Sequence, residues 1–525
     1  MRRLERRVLV LACGLALVCG CPAGSSVPAG EAPPPRPLAE RLAELGPWVE
    51  QALADWQVPG LALAVVSRDE VLWLRGFGER RLGAGEPVDE RTVFAIASNT
   101  KPFTATALAL LVAEGTLGWD DRVVERLPGF ALHDAAATTE LRLRDLLCHR
   151  AGYATFAGDL IWIGSDFEAA EVLRRAAGIE PAWGVRYRYG YSNLMYLAAG
   201  AVLEQATDRP WAELVRERLL EPLGMTRTTT SVAELDGLEN VATPYMEVDG
   251  ELRELPFLAV DNMQPAAALN SCAADLARWL RLQLGEGALD GTQVVPVEAV
   301  ADTRAPHTAI PLGPAGRSMI PERHLLSYGL GWAVWDYRGK LVVSHEGGLP
   351  GMFSSVAFVP EADLGVAVLI NAEESLARAV VLQVVDTALD VPPRDWSSTL
   401  REWERALEEQ AAVAVEAAAD VDVEPPAPPT LSMAGYAGVY ANELLGRAEV
   451  VEEPEGLRLR LPDHGGLDGV LAPSSGELFD CRWSDPVFGA SEVEFDVEEG
   501  RAVRLRFQVY PEFIDPLVYE FRREE

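Results

Sequence analysis

Strand-like sequence occurs in two blocks that lie far apart in this chain, and the stretch between them is helical in pattern. GLALAVVSRDEVLWLRGFGER (60–80) reads as two strands joined at the polar turn Ser67-Arg68-Asp69-Glu70. Within the main domain, strand patterns next return in YGLGWAVWDY (328–337), KLVVSHEGG (340–348), SSVAFVPEAD (354–363) and GVAVLINAE (365–373). LRLRDLLCHR, EAAEVLRRAAG, LMYLAAGAVLEQAT and WAELVRERLLEPLG, all between the two blocks, carry apolar residues at helical spacing. A chain so arranged assembles one sheet from both ends and sets its helical middle aside as a second lobe, an α+β fold. A further helix is expected over roughly Ser375 to Leu389.

The flanks divide the chain further. Arg2, Arg3, Arg6 and Arg7 precede the apolar run Val8 to Val18, which has the form of a secretory signal and is too short to span a bilayer comfortably. It ends in Leu17-Val18-Cys19-Gly20-Cys21, which resembles a bacterial lipobox with Cys21 as the lipidated residue. Pro22 is unusual there, so ordinary cleavage near Ala23 to Ala29 stays open. Either route exports the protein to the periplasm or cell envelope. Residues 22–37 (PAGSSVPAGEAPPPRP) read as a flexible tether and 38–393 as the main globular domain. Residues 394–430 read as a charged, Ala-rich helix followed by a PPAPP linker, and 431–525 as a small all-β domain, sandwich or barrel.

Charge excludes one class of function. A formal net charge of −34 is the opposite of the basic footprint that nucleic acid requires. Cys148, Cys272 and Cys481 are far apart and sit among apolar or small residues, so they read as buried and unpaired. His345-Glu346 begins like H-E-x-x-H, but Leu349 stands where the second histidine is required, and the zinc reading fails. No cofactor or metal is expected.

Lysine usage then points to chemistry. The chain has two lysines, Lys101 and Lys340, against an abundance of arginine. Lys101 follows Ser98 at i+3, in a run from Ser98 to Glu114 that reads as a helix ending at Gly115. Residues i and i+3 share a helix face. A serine hydroxyl needs a base before it attacks, and a desolvated lysine can be that base where arginine cannot. A second element is Tyr191-Ser192-Asn193, where a tyrosine with its pKa lowered by nearby cations would be a second proton relay. A third is Ser344-His345-Glu346-Gly347-Gly348 at a strand end. Glycines there let a substrate lie alongside, and the N–H groups of Gly348 and Ser98 would form an oxyanion hole.

Together these motifs resemble the serine β-lactamase and penicillin-binding protein superfamily, built on Ser-x-x-Lys and a Lys-Thr-Gly-type strand. The closer resemblance is to its class C β-lactamase-like branch of esterases and D-amino-acid peptidases, with Tyr-x-Asn second and His-x-Gly third. LLCHRAGY, RERLLEPLGMTRT, SCAADLARWL, SYGLGWAVW and SHEGGLPGMFSS support it in the expected order.

The resemblance implies the β-lactamase/DD-peptidase-like fold, an acyl-enzyme on Ser98, Lys101 as proton acceptor and Tyr191 sharing acid/base work. It implies that Asn193 orients Lys101 and contacts a substrate carbonyl, and that His345 replaces the usual lysine near the substrate's polar tail. Substrate contacts are expected at Asn193, His345, Gly347 and Gly348, and the substrate is a small molecule or peptide carrying an ester or amide. Ala266-Ala267-Ala268-Leu269-Asn270-Ser271 departs from the branch's Gly-Gly-Leu, and PLGPAGRSMIPERHLLSYG reads as a loop over the site. The competing readings are a cell-wall D-peptidase or weak β-lactamase, and a non-catalytic binding or sensor protein that keeps the fold.

Overall fold

Alternation along each central strand explains the layering. In Gly60–Val66 every residue is buried. Leu61, Leu63 and Val65 enter one core, with Val366, Val368 and Ile370 of the neighbouring strand. Ala62, Ala64 and Val66 enter the other, with Ala367 and Leu369. A period of two sends successive side chains to opposite faces, so a strand covered on both faces must be apolar throughout.

The computed structural model describes residues 36–392, 394–419, 427–454, 456–509 and 515–525. The signal segment with Cys21, and all of the 22–37 tether but its last two residues, lie outside them. Among the described residues no helix is long and apolar enough to cross a membrane.

The main sheet has nine strands in the order Thr308–Ala309, Leu326–Tyr328, Ala333–Tyr337, Lys340–Leu349, Met352–Val359, Leu364–Ile370, Gly60–Val66, Val71–Arg81 and Glu86–Pro87. Every neighbour pair is antiparallel. The early pair thus sits beside the late strands. Helices Gly46–Asp55, Leu376–Ala388 and Trp396–Ala419 contribute to the core on one face. The helical lobe, centred on Lys101–Ala113 and Asn193–Thr207, covers the other.

The C-terminal strands Gly438–Asn442, Gly446–Glu453, Gly456–Leu461, Leu467–Ser475, Leu478–Trp483, Ala490–Glu498, Arg501–Phe507 and Tyr519–Arg523 close into a barrel. Closure satisfies both sheet edges. The interior is filled by rings, with Tyr436 5.0 Å from Phe479 and 5.1 Å from Phe495. Cys148, Cys272 and Cys481 are buried and unpaired, and burial raises each thiol to between about 11 and about 12.

Candidate active site

The run expected as one helix from Ser98 is two elements: a 3-10 turn at Ala97–Thr100 and an α-helix at Lys101–Ala113. Pro102 explains the break. It has no N–H to bond the Ser98 carbonyl in the α pattern, so that carbonyl takes the Lys101 N–H instead. Ala97 sits at φ 49°, a left-handed conformation disfavoured for any side chain and common at constrained sites. The following helix is apolar all round, and Lys101 through Leu111 are buried. Lys101 is therefore carried into the core by its neighbours.

Its ammonium has little water to replace, and burial pulls its pKa down to about 7. Nζ lies 2.6 Å from Asn193 Oδ1, 3.1 Å from the Ala266 carbonyl and 2.9 Å from Ser98 Oγ. A neutral amine has two hydrogens and one lone pair. Asn193 Oδ1 and the carbonyl only accept, so they take both hydrogens and leave the lone pair facing the serine hydroxyl. The triple-alanine stretch thus supplies a lysine acceptor as well as a wall.

Asn193 is the first residue of its helix, and its Nδ2 donates to Asp159 Oδ2 at 2.6 Å. Asp159 is fully buried, also accepts from Trp162 Nε1, and is raised by burial to about 8. The pair Lys101–Asp159 is held toward its uncharged form from both sides. Asn193 lines the cavity with its Oδ1 accepting from Lys101 and one Nδ2 hydrogen on Asp159, and an amide nitrogen has a second hydrogen for a substrate carbonyl.

Tyr191 also differs from expectation. Its phenol is pushed well above the usual range by burial, opposed by a hydrogen bond with Ser98. Lys101 Nζ sits 4.8 Å from the ring centre, over its face, and is itself depressed, so it does not lower the phenol. The tyrosine is a protonated relay, able to hand a proton on but not resting as a phenolate.

The third motif lies on the strand Lys340–Leu349. A Cβ on Gly347 would stand 2.1 Å from the Ile96 carbonyl oxygen and 2.9 Å from Ser98 N, so only glycine lets this strand lie against the nucleophile turn. Gly348 is exposed and borders the cavity. Asn99 and Ser354 fasten turn to sheet: Asn99 Nδ2 donates to Ser354 Oγ at 2.8 Å, and Ser354 Oγ donates to the Ile96 carbonyl at 2.9 Å. His345 Nδ1 is 2.6 Å from the Glu346 carbonyl, and Nε2 is 2.7 Å from Tyr328 Oη. The carbonyl accepts only, so Nδ1 carries the hydrogen and Tyr328 donates to Nε2. Burial drops His345 to about 3, which keeps it neutral.

Sequence reading misses Asp159, Asn99, Ser354 and Tyr328. Tyr328 lies within SYGLGWAVW, Ser354 within SHEGGLPGMFSS and Asn99 within the Ser-x-x-Lys motif, which offered signals; Asp159 carries no local pattern. It also misses that Arg378 reaches back over Glu346 in a bidentate pair at 2.7 Å for each bond. His149, in LLCHRAGY, is structural: its Nδ1 accepts the Ser192 N–H at 3.1 Å.

Ser98 opens into a cavity of about 990 Å³. Phe156, Trp162, Leu258, Ile320, Leu326 and Phe353 make much of its wall apolar, and Met319 and Ile320 come from the loop expected over the site. Pro486, Val487 and Gly489 of the barrel complete one side. No group of residues among those described is arranged to hold a metal ion. The assembly presents a serine, a buried amine with its pKa lowered to about 7, a phenol and a strand edge to a chamber of apolar wall with Glu247, Glu373 and Glu374 on its lining, which suits acyl transfer.

Comparison with known proteins agrees with this arrangement. Residues 47–388 match the family described as Beta-lactamase, and residues 422–522 match a domain of unknown function, DUF3471. The chain is 27% identical over 428 residues to the Unguisins hydrolase ungD of Aspergillus violaceofuscus (strain CBS 115571), spanning 77% of this chain and 75% of that protein. It is 31% identical over 323 residues to Penicillin-binding protein 4 of Amycolatopsis lactamdurans, spanning 60% and 81%. The octameric penicillin-binding protein homologue from Pyrococcus abyssi superposes with a TM-score of 0.61 over 91% of this chain and 99% of that one, at 21% identity, a likeness of fold.

Proposed function

This chain belongs to the Beta-lactamase family, as a serine hydrolase, and from that premise we infer that it cleaves a carboxylate-free ester or amide with an apolar acyl group through an acyl-enzyme on Ser98. The observation that carries the reading is Lys101 Nζ 2.9 Å from Ser98 Oγ, with Asn193 Oδ1 and the Ala266 carbonyl as acceptors for the two hydrogens of its neutral form. Ser98 Oγ attacks the carbonyl carbon as its proton passes to Lys101 Nζ. Negative charge on the carbonyl oxygen is met by the Ser98 and Gly348 N–H groups. The tetrahedral adduct collapses, and Tyr191 hands a proton to the departing alcohol or amine, recovering one from Lys101. Water then attacks the acyl carbon, giving its proton to the same relay, and the acid leaves with Ser98 restored.

Charge distribution supports substrates without a carboxylate, since Glu247, Glu373 and Glu374 also line the cavity. A β-lactamase holds its substrate's carboxylate with the third-motif lysine, whereas His345 here is neutral and occupied by Tyr328. Arg378 borders the cavity but is paired with Glu346, and Arg323 donates to the Gly316 carbonyl while lying over Trp335. Carboxylate-bearing cell-wall peptides and penicillins are therefore disfavoured. The arginine-rich leader and Cys21 support export with a lipid anchor, which a Cys21→Ser variant released into the soluble fraction would test.

The test of function is incubation with a fluorophosphonate, a fluorescent penicillin and a p-nitrophenyl ester, with intact mass and hydrolysis followed. A fluorophosphonate adduct on Ser98 and ester turnover without a penicillin adduct is the expected result. Turnover unchanged in Ser98→Ala would overturn the reading.

A further inference from the structure

The C-terminal barrel reaches the catalytic apparatus through one carboxylate. Asp515 is fully buried at the barrel's edge, and its Oδ1 accepts the N–H of Gly158 at 3.3 Å while Oδ2 accepts that of Leu160 at 2.8 Å. These N–H groups belong to the residues on either side of Asp159, which bonds Asn193, which bonds Lys101. The Leu517 N–H at 3.0 Å and the Tyr519 hydroxyl at 2.5 Å, both from the barrel, complete the shell of Asp515. The same segment meets the barrel twice more, where His464 Nε2 lies 3.0 Å from the Leu160 carbonyl and the Asp166 N–H donates to the Asp463 carbonyl at 3.0 Å. Gly158, at φ 84°, gives the segment the turn that aims both N–H groups at one acceptor.

We propose that the barrel is a working part of the active site, in which Asp515 is a positioning residue that fixes Asp159 and, through Asn193, the orientation and protonation of Lys101. The inference rests on the acyl-enzyme reading above. A barrel whose interior is filled by aromatic rings has no room to act as a ligand cup, so its contribution lies at its edge. Burial is the main cause that raises Asp159, and it raises Asp515 as well; four donors favour the charge on Asp515, and that charge beside Asp159 disfavours a second one. A protonated Asp159 does not attract a proton onto Lys101. The ionisable groups that face Asp159 are Lys101 from the nucleophile helix, Tyr191 from the second-motif loop, and Asp515 and Tyr519 from the barrel. Removing the Asp515 charge lets Asp159 ionise at lower pH, and that charge then stabilises the ammonium form of Lys101.

The test uses the full-length protein, its Asp515→Asn and Tyr519→Phe variants, p-nitrophenyl ester turnover from about pH 5 to pH 9 and thermal unfolding. For Asp515→Asn the expected result is kcat lowered about tenfold or more with KM within about twofold, and the acid limb of kcat/KM moved up by about half a pH unit or more. Tyr519→Phe, which keeps the ring and loses only the hydroxyl, moves the same limb in the same direction by less, and decides the matter if Asp515→Asn does not fold. Variants that fold and keep the wild-type kcat and acid limb overturn the positioning role while leaving the hydrolase reading intact. So does activity that falls only in proportion to the folded fraction with the limb unmoved. An inactive wild type overturns both.

Discussion

Replacing Lys101 by methionine separates what the amine does for catalysis from what it does to stability. The amine is fully buried, and its pKa falls from 10.5 unfolded to about 7 folded. Between those values the unfolded chain binds more protons than the folded one, so wild-type stability rises with pH across that window. Below pH 7 the buried amine costs about 5 kcal/mol, at roughly 1.4 kcal/mol for each pH unit separating the two values, and the cost fades as pH rises toward 10.5. Methionine removes that cost but leaves Asn193 Oδ1 and the Ala266 carbonyl without a donor, about 1–3 kcal/mol each and independent of pH in this range. Lys101→Met should therefore fold with stability within a few kcal/mol of wild type and fail to acylate. The pH dependence is the sharper signature: urea unfolding should show the wild type gaining about 3 kcal/mol on the variant between about pH 6 and pH 9. A stability difference flat across that interval would refute a depressed, buried lysine, and with it the reason Ser98 is activated.

Further outcomes follow from the same geometry. Fluorophosphonate acylation should fall about tenfold per pH unit below about pH 7, and Lys101→Arg should lose more than about a thousandfold, since guanidinium cannot give up its proton; burst kinetics read both. Gly347→Ala should destabilise by about 1–3 kcal/mol in urea and lose most ester turnover, because its Cβ meets the Ile96 carbonyl. Glu346→Gln should leave Arg378 with an unneutralised charge at the cavity wall and strengthen labelling by fluorescent penicillin relative to the ester. Tyr328→Phe should cost about 1–3 kcal/mol by leaving His345 Nε2 buried without its donor, measured by urea unfolding.

Much of this architecture is written in periodicity. The hairpin at 60–80, the late strands and the helix after Ser375 all follow from local apolar spacing, as does an all-β C-terminal segment. Two strand blocks with helices between them imply a sheet built from both ends, because antiparallel strands are satisfied by short hairpins within each block. The lone core lysine at i+3 from a serine singled out the proposed reacting pair, since no other residue type offers a buried nitrogen base on a flexible stem.

Protonation states, and partners distant in sequence, come from folding instead. Tyr191 reads as a relay with a lowered pKa until burial is known, and burial reverses the direction of its shift. Asp159 and Asp515 have no motif around them; one contacts the lysine through an asparagine, the other reaches it from a barrel at the far end of the chain. The order of residues was enough to single out the serine and lysine on which the proposed mechanism rests, because the spacing of i and i+3 is local geometry. Which groups hold a proton depends on desolvation and on charges brought close by folding, and those are properties of the packed molecule.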